Sequence, residues 1–173
     1  MGIGGIISAI VVIRQVNYLH NKDLGFNKEN IMLVNLPANN ENAELKYESF
    51  KSSLLKEPII EGVAAAYTFP GINSNEQQTV KAPGMAENEN IVMRSIGVDY
   101  DYMKTLGIKL IYGRNFSKTF STDKDEAVIL NESGVKKLKL KNPVGQLLMI
   151  PGGKEGYKNV KVIGIVNDFH VQS

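Results

Sequence analysis

The sequence contains no cysteine, and only two of its 173 residues are histidine. The absence of cysteine excludes disulfide bonds, thiolate zinc sites, iron–sulfur clusters and cysteine nucleophiles. It does not fix the compartment, because it is also compatible with an oxidising envelope in which a free thiol is a liability. The two histidines, His20 and His170, lie at opposite ends of the chain. We therefore expect no metal site and no cofactor.

The sequence also lacks a strong excess of either charge. Its formal net charge of +2 is too small to indicate a nucleic-acid partner. The basic stretch 135–141 mixes lysine with valine and leucine, which is typical of a solvated helix end. An apolar fraction of 43% and a charged fraction of 22% are those of an ordinary globular protein. A length of 173 residues suffices for one domain, or for two small subdomains that share a core.

An apolar run long enough to span a membrane, about 20 residues, is not present. Residues 3–13 are nearly all apolar or small, and polar residues begin at Arg14. This segment could be the outer end of a transmembrane helix, a packed or oligomerising helix, or a secretion signal. A signal peptide has its basic residues before the apolar run and a small-residue cleavage site after it, which disfavours the third interpretation. Apolar residues on all faces suit lipid better than a surface helix, so we favour the end of a transmembrane helix.

The first half of the remaining chain predicts a strand–helix–strand unit. Residues 30–37 have the pattern of a strand that ends at a proline, and residues 59–71 that of a second strand. Between them, an asparagine-capped helix ends at Pro58. Its expected buried stripe consists of Tyr47, Phe50, Leu54 and Leu55.

The second half predicts short strands and helices in no regular alternation, which indicates an α+β fold. The expected strands are 77–81, 91–98, 108–113, 127–131, a strand that follows the turn at Pro143 and Gly145, and 160–169. A short helix over 100–107 is expected to be capped by Asp99, and a helix over 132–140 by Asn131. Residues 114–126 are predicted to form a loop.

Candidate catalytic groups do not combine into a known constellation. Asp168 and His170 lie on the same side of an extended strand, but a triad also needs a nucleophile, and no G-x-S-x-G elbow is present. A structural capping role at the strand end is therefore favoured. The acidic stretch 123–126 lacks the glycine and spacing of an EF-hand loop and is predicted to be an exposed turn. We expect that the chain is not an enzyme.

Three stretches, taken together, resemble a known family. The first, 15–37, carries Asp23-Leu24-Gly25-Phe26 between a helix and a strand. The second, 98–148, carries a Gly-Arg-x-Phe turn, a strand into Asn-Glu, and Asn-Pro-x-Gly; the third is the closing strand with its tail, 160–173. Their order and spacing are similar to the periplasmic core domain of MacB-like ABC transporter permeases, the FtsX-like membrane proteins. The matching residues are Gly113, Arg114, Phe116, Asn131, Glu132, Asn142, Pro143, Gly145, Asp168, Phe169 and His170. Leu140 stands where a glycine is more usual, which puts the helix C-cap there in doubt.

The resemblance implies a fold with two lobes. Residues 27–72 and 126–173 would form a porter-like βαβ lobe, and residues 73–125 a mostly-β, sabre-like insertion. Residues 1–26 would form the end of a transmembrane helix and a connecting stalk. The whole protein would lie in the inner membrane, with this domain, 27–173, in the periplasm.

The resemblance also implies a mechanical function. The chain would be a non-catalytic domain that couples cytoplasmic ATP hydrolysis to periplasmic movement, for export or mechanotransmission. Its partners would be a cytoplasmic ATP-binding subunit or domain, a second permease copy or half, and a periplasmic or outer-membrane protein, with no nucleic acid. The expected lever and joint residues are Arg14, Tyr18, Asp23, Gly25 and Phe26. The alternatives are an extracytoplasmic small-molecule sensor domain of a membrane receptor and a cytosolic enzyme in which 3–13 is packed core.

Overall fold

The computed structural model of the protein describes residues 25–26, 30–35, 43–69, 77–86, 88–152 and 156–169. The predicted lever, including Arg14, Tyr18 and Asp23, lies outside these residues, and so does His170. Among the described residues, no helix has both the length and the apolar character needed to cross a membrane.

The described residues form a mixed helix and sheet structure, which confirms the predicted α+β class. The elements in chain order are α1 (Ala43–Leu54), β1 (Gln77–Val80), β2 (Ile91–Arg94), α2 (Tyr102–Thr105), β3 (Leu110–Gly113), α3 (Asp123–Glu126), β4 (Ala127–Asn131), α4 (Glu132–Lys137), β5 (Leu147–Pro151) and β6 (Tyr157–Val166).

The long strand β6 organises the larger of two sheets. On one edge it pairs in parallel with β4, and on the other it pairs antiparallel with β3 and β5, which follow one another along that edge. Strands β1 and β2 form a separate antiparallel pair, and a bridge between Lys81 and Met149 connects that pair to β5. Although β3 lies within the predicted insertion 73–125, it hydrogen-bonds to β6 of the other predicted lobe. The division into two lobes stays a prediction.

The prediction for the buried face of α1 is wrong in part. Tyr47 and Leu54 are half-buried as expected, but Phe50 and Leu55 are exposed, at 37% and 47%. The most buried residue of this face is Lys51, with 7% of its surface exposed. Tyr47, Lys51 and Leu54 follow the helical spacing of four and three, so α1 does have a buried stripe, but a charged side chain lies at its centre.

The strands predicted on either side of α1 do not form within the described residues. Residues 31–35 and 59–65 have no regular secondary structure. From the second segment, only Ala66 makes a β-bridge, to Val98. Strand propensity reflects how well side chains fit a partner strand. Among the described residues, the second segment meets its partner only briefly, through Ala65 to Tyr67, and 31–35 forms no ladder.

Within the part of the chain that the structure describes, the core consists of two apolar clusters, one packed on β6 at Val160 and Val162 and the other at its last residue, Val166. The first cluster contains Val80, Ala82, Leu130, Leu138, Leu148, Val160 and Val162. The second contains Tyr102, Leu106, Ile108 and Val166, with Phe26, Phe69 and Phe169 packed against it.

Two capping predictions have different outcomes. Asn131 caps α4 as expected, since its side-chain oxygen accepts a hydrogen bond from the Gly134 amide at 2.9 Å. Asp99 is not the N-cap of α2, because Asp101 occupies that position. At the end of α4, where Leu140 departs from the family pattern, Lys139 adopts the left-handed conformation that glycine usually supplies (φ 53°).

Candidate functional site

The first and last described segments meet at Gly25. This glycine has φ +75°, in the left-handed region, and its Cα faces the backbone of Asp168 and Phe169. A Cβ at this position would lie 2.3 Å from the Asp168 carbonyl oxygen and 2.9 Å from the Phe169 Cα. Both the backbone conformation and the close approach therefore require glycine.

Three phenylalanines near Gly25 connect its backbone contact to the second cluster. The Phe26 ring meets the Phe69 ring edge to face, with centroids 6.0 Å apart. Phe26, Phe69 and Phe169 all pack against the buried residues of that cluster. Edge-to-face aromatic pairs add stability beyond the apolar area that they bury. We call Gly25, Phe26, Phe69, Asp168 and Phe169 the joint.

Asp168 links the joint to α4. Its carboxylate accepts hydrogen bonds from the Ser133 amide at 2.9 Å and from the Ser133 hydroxyl at 2.6 Å. Ser133 lies in the first turn of α4, where backbone amides have no partner within the helix and a negative charge is favourable. Asp168 was predicted to cap the strand end, and the element whose first turn it contacts is instead the adjacent helix α4.

A second polar cluster anchors α1 to the segment that precedes α2. The Lys51 ammonium group donates to Asp99 at 2.8 Å and to Asp101 at 2.6 Å. The Tyr47 hydroxyl donates to the same Asp99 oxygen at 2.5 Å. We call Tyr47, Lys51, Asp99 and Asp101 the Lys51 cluster. Its two carboxylates provide partners for a lysine cation that is otherwise costly to bury.

The electrostatics of the Lys51 cluster keep its lysine charged. Burial lowers the pKa of Lys51, but its hydrogen bonds to Asp101 and Asp99 outweigh that effect, so the pKa lies above the ordinary value. Burial and the hydrogen bond to Asp99 raise the pKa of Tyr47, which keeps its hydroxyl protonated. A permanently charged lysine between two carboxylates is suited to holding α1 in place, and it is unsuited to transferring protons near neutral pH.

Arg114 forms the third polar cluster, in the segment predicted to be a loop. Its guanidinium binds both carboxylate oxygens of Asp123, at 2.6 and 2.7 Å, and lies 4.0 Å from the centroid of the Phe120 ring. Asp123 also accepts from the Ser117 amide at 3.0 Å. The hydrogen bonds from Arg114 lower the pKa of Asp123, although burial opposes them. The prediction of an exposed acidic turn is wrong for Asp123, which is only 4% exposed and begins the short helix α3.

The other motif residues shape turns and caps. Gly113 has φ +80°, and a Cβ there would lie 2.3 Å from the Ile163 carbonyl oxygen. Gly145 has φ +93°, and the next residue, Gln146, donates its amide to the Pro143 carbonyl at 3.1 Å. Phe116 is half-buried, whereas Glu132 and Asn142 are exposed.

Local sequence patterns do not reveal the contacts that these residues make over long distances. The partners of Lys51, Asp101, Asp123 and Phe69 are not predicted from the sequence, because each partner lies distant in the chain or is brought back by a turn. Tyr47 and Lys51, four residues apart on a helix, were the available signal of a polar face. Within the described part of the chain, no group of three or more acidic, histidine or cysteine side chains could hold a metal ion.

The fold and the joint define an α+β domain whose entering and leaving segments are fixed to each other. Residues 1–173 match the family described as the MacB-like periplasmic core domain, and the chain belongs to that family. It is accordingly a periplasmic domain of a MacB-like ABC transporter permease.

Two solved structures resemble the chain in fold. The periplasmic region of MacB from Actinobacillus actinomycetemcomitans is 19% identical with a TM-score of 0.46, and the match covers 72% of this chain and 52% of that one. The extracellular domain of the noncanonic ABC-type transporter YknZ from Gram-positive bacteria is 19% identical with a TM-score of 0.49, and the match covers 69% and 56%. The chain thus spans about half the length of the solved structures it matches. No curated protein matches it.

Proposed function

We propose that this domain transmits movement, without catalysis, from a permease in the inner membrane to the periplasm. ATP hydrolysis by a cytoplasmic subunit or domain would drive the movement, and a second permease copy would carry an equivalent domain. The observation that supports this proposal is the contact of Gly25 with Asp168 and Phe169. Because the two segments touch through backbone atoms, a displacement of one must displace the other.

The lever in this proposal is the segment before the joint. Residues 3–22, if helical, would extend about 30 Å, which suffices to carry a small tilt at the membrane into a displacement of the domain. Arg14, Tyr18 and Asp23 belong to this lever or its end, and Gly25 and Phe26 to the joint. Helix tilting and rigid-body rotation of domains are ordinary means of transmitting a conformational change.

The polar clusters support rigid transmission beyond the joint. Asp168 connects the joint to α4, and the Lys51 cluster connects α1 to the start of α2. Interiors packed in this way have low compressibility, so they rotate as bodies instead of deforming gradually. In the same proposal, residues 27–72 and 126–173 form the porter-like lobe, and 73–125 the insertion available to a periplasmic or outer-membrane partner.

The charged side chains that are buried support a non-catalytic function. Lys51 is engaged by two carboxylates, and Asp123 is engaged by Arg114. General acid–base catalysis needs a group whose pKa lies near the working pH. The pKa values of Lys51 and Asp123 are instead shifted away from neutrality by their partners. Family membership also favours a permease over the sensor domain of a receptor.

The test measures movement in the membrane-embedded transporter. Asn88 is exposed, and an Asn88→Cys variant offers a single label site because the domain has no native cysteine. Native cysteines elsewhere in the transporter are first replaced. Spin labels on the two permease copies then report the distance between the domains, with and without ATP. A membrane-impermeant maleimide applied to intact cells reports the compartment.

The variant that tests the joint is Gly25→Ala, and its matched control is Gly84→Ala. Both glycines have positive φ, but a Cβ at Gly84 meets no atom within 4 Å. We expect the ATP-dependent change in label distance to be smaller in Gly25→Ala than in the unmodified transporter, since the added Cβ separates Gly25 from Asp168, and to persist in Gly84→Ala. An unchanged response in Gly25→Ala would contradict a role for the joint. Labelling of Asn88→Cys only after lysis would contradict the periplasmic placement and the whole proposal.

A further inference from the structure

One side of the β5–β6 pair is open to solvent. In the register of these strands, Leu147 lies opposite Lys161, and Pro151 lies opposite Tyr157. All four residues are exposed, whereas alternate residues of the same strands are buried in the first cluster. Residues directly opposite each other in an antiparallel pair point to the same side of the sheet. Their side chains therefore lie together on the solvent side.

The same side continues onto β1 and β2. Lys81 and Met149 exchange two backbone hydrogen bonds, each 2.9 Å long, so their side chains share one side. Thr79, two residues before Lys81, is paired with Val92, and Arg94 follows two residues after Val92. The result is one surface that extends over four strands. We call the surface formed by Lys81, Val92, Arg94, Leu147, Met149, Tyr157 and Lys161 the outer face.

The outer face carries an apolar patch. Val92, Leu147, Met149 and Tyr157 are 47%, 52%, 40% and 41% exposed. Single exposed apolar residues are ordinary on a protein surface, but neighbouring ones that form a patch mark a site of interaction. The Lys81 ammonium group lies 5.1 Å from the centroid of the Tyr157 ring, so the patch and the cations of this face are directly adjacent.

The charged side chains of the outer face are all cations. They are Lys81, Arg94 and Lys161, and the strands β1 to β6 of the described structure contain no aspartate or glutamate. Asp125 and Glu126 of α3 lie at the border of the face, where they line a groove beside Lys161. A partner that combines apolar side chains with carboxylates is therefore complementary to this face.

The dimensions of the outer face fit one helix. Neighbouring strands lie about 4.8 Å apart, so the distance from β2 across β1 and β5 to β6 is about 14 Å, and Leu147–Pro151 spans about 13 Å. A helix with its side chains is about 10 Å wide, so two to three turns cover the face. A stable interface between two folded proteins needs about 800 Å² on each partner, which is more than this face offers. A single helix of a partner therefore fits better than a second copy of the chain.

The position of the outer face on β6 favours a protein partner over a lipid bilayer. Tyr157 and Lys161 lie in the first half of β6, whereas the joint follows the end of this strand. At about 3.3 Å per residue, Tyr157 lies about 30 Å from Val166. In the proposed function the joint leads to the membrane, so the outer face lies at the end of β6 that is remote from the membrane.

We propose that the outer face docks one amphipathic, acidic helix of a periplasmic partner protein. The apolar side of that helix packs against the patch, and its carboxylates meet the three cations. This inference rests on the proposed function, because it takes the joint to be the end of the domain that leads to the membrane. It adds the surface and the chemistry through which a periplasmic partner receives the movement.

Two fluorescently labelled 18-residue helical peptides test the proposal by anisotropy titration with the 173-residue chain. Both carry leucine at helical spacings of three and four, with glutamine and glutamate at the other positions of one peptide and glutamine and lysine in the other. We expect the acidic peptide to bind at least about tenfold more tightly than the basic one, because three exposed ion pairs form with it and none with the basic peptide. Its affinity should fall as the salt concentration rises.

Four variants locate the binding on the outer face. Lys161→Gln should weaken binding of the acidic peptide about two- to fivefold, the usual worth of an exposed ion pair. Its control, Lys109→Gln, removes an exposed lysine next to β3, at the other end of β6, and should leave the affinity unchanged. Leu147→Gln should weaken binding about fivefold through lost apolar contact, whereas the control Leu110→Gln, at a leucine of β3 that is 43% exposed, should not.

Several results would overturn the proposal. They are no binding of the acidic peptide, equal binding of both peptides, or equal losses in Lys161→Gln and Lys109→Gln. Binding to phosphatidylglycerol vesicles that depends on Lys161, without such dependence for the peptide, would assign the face to a lipid surface instead. A dimer of the chain that Leu147→Gln dissociates would assign it to a second copy.

Failure of this inference can be distinguished from failure of the proposed function. The label distances in the membrane-embedded transporter measure movement and do not involve the peptides. If the peptide does not bind while the ATP-dependent change in distance persists, only the docking surface is refuted. If the peptide binds as expected while the distance does not change, the transmission of movement is refuted and the binding surface stands.

Discussion

Replacing Gly113 by alanine tests whether its close contact with β6 decides the pairing of β3. Gly113 has φ +80° and lies opposite Gly164 in the β3–β6 register. An alanine Cβ would lie 2.3 Å from the Ile163 carbonyl oxygen and 2.8 Å from the Gly164 Cα. Both contacts are with backbone atoms, so no side chain can rotate away to relieve them. The strands must therefore separate locally.

The structure provides a control that isolates the contact from the backbone conformation. Gly84 has φ +84°, but a Cβ there meets no atom within 4 Å. Gly84→Ala should therefore cost only the left-handed conformation, about 1 kcal/mol. Gly113→Ala should cost this amount and also weaken neighbouring hydrogen bonds such as that from the Arg114 amide to Ile163, 2.9 Å long. If two such bonds are lost, at about 1 kcal/mol each, the total with the conformational cost is about 3 kcal/mol.

Urea and thermal unfolding, followed by circular dichroism, measure both costs. For a chain of this size, about 1 kcal/mol lowers the unfolding temperature by about 3 °C, so we expect decreases of about 3 °C for Gly84→Ala and about 9 °C for Gly113→Ala. The two sites share no partner, so the double variant should show the sum. Equal costs for the two single variants would refute the reasoning, because the cost would then come from φ alone.

Two further predictions concern the polar clusters. Lys51→Met should lower the free energy of unfolding by about 2–3 kcal/mol, because it leaves the Asp99 carboxylate with only neutral donors, the Tyr47 hydroxyl and the Asp101 amide. Lys118→Met, which breaks an exposed ion pair, should cost less than about 1 kcal/mol, and equal costs in urea titrations would count against a structural role for Lys51. Arg114 lowers the pKa of Asp123 in the folded state. The stabilisation from this ion pair is therefore complete above the pKa of aspartate in the unfolded chain, about 4, and is lost as the pH falls through the pKa of Asp123 in the folded protein. Urea midpoints between pH 7 and pH 3 should therefore fall more steeply for the unmodified chain than for Asp123→Asn, and parallel curves would contradict this.

The second half of the chain could be predicted well because its signals are local. Strand β4 and the helix that Asn131 caps follow directly from a short apolar run and a capping residue. The short strand β1 also lies where the sequence indicates. In each case the residues that specify the element lie within it or next to it.

The structure of α1 and its neighbouring segments could not be predicted as well, because their packing depends on residues distant in the chain. Phe50 has the spacing of a core residue, yet the face that packs is the one where Lys51 meets two carboxylates more than forty residues away. An apolar pattern does not reveal such a cluster, since its energy comes from charges that the fold brings together. Residues 31–35 have strand-like composition but no partner strand in the described structure, and composition alone cannot supply one.

The motif residues Gly25, Gly113 and Asp168 share one structural feature, since each acts on β6 or on the chain just beyond it. Gly113 approaches the backbone of β6 at Ile163, and Gly25 approaches the chain just beyond β6 at Asp168. Asp168 in turn caps the helix that follows β4, the parallel neighbour of β6. Motifs that are weak individually therefore act on one strand and its continuation, where only glycine or a capping side chain fits. Since the same strand leads from the first cluster to the joint, a substitution that loosens β3 from β6 should also alter the position of the joint, and the label distances in the transporter can detect that change.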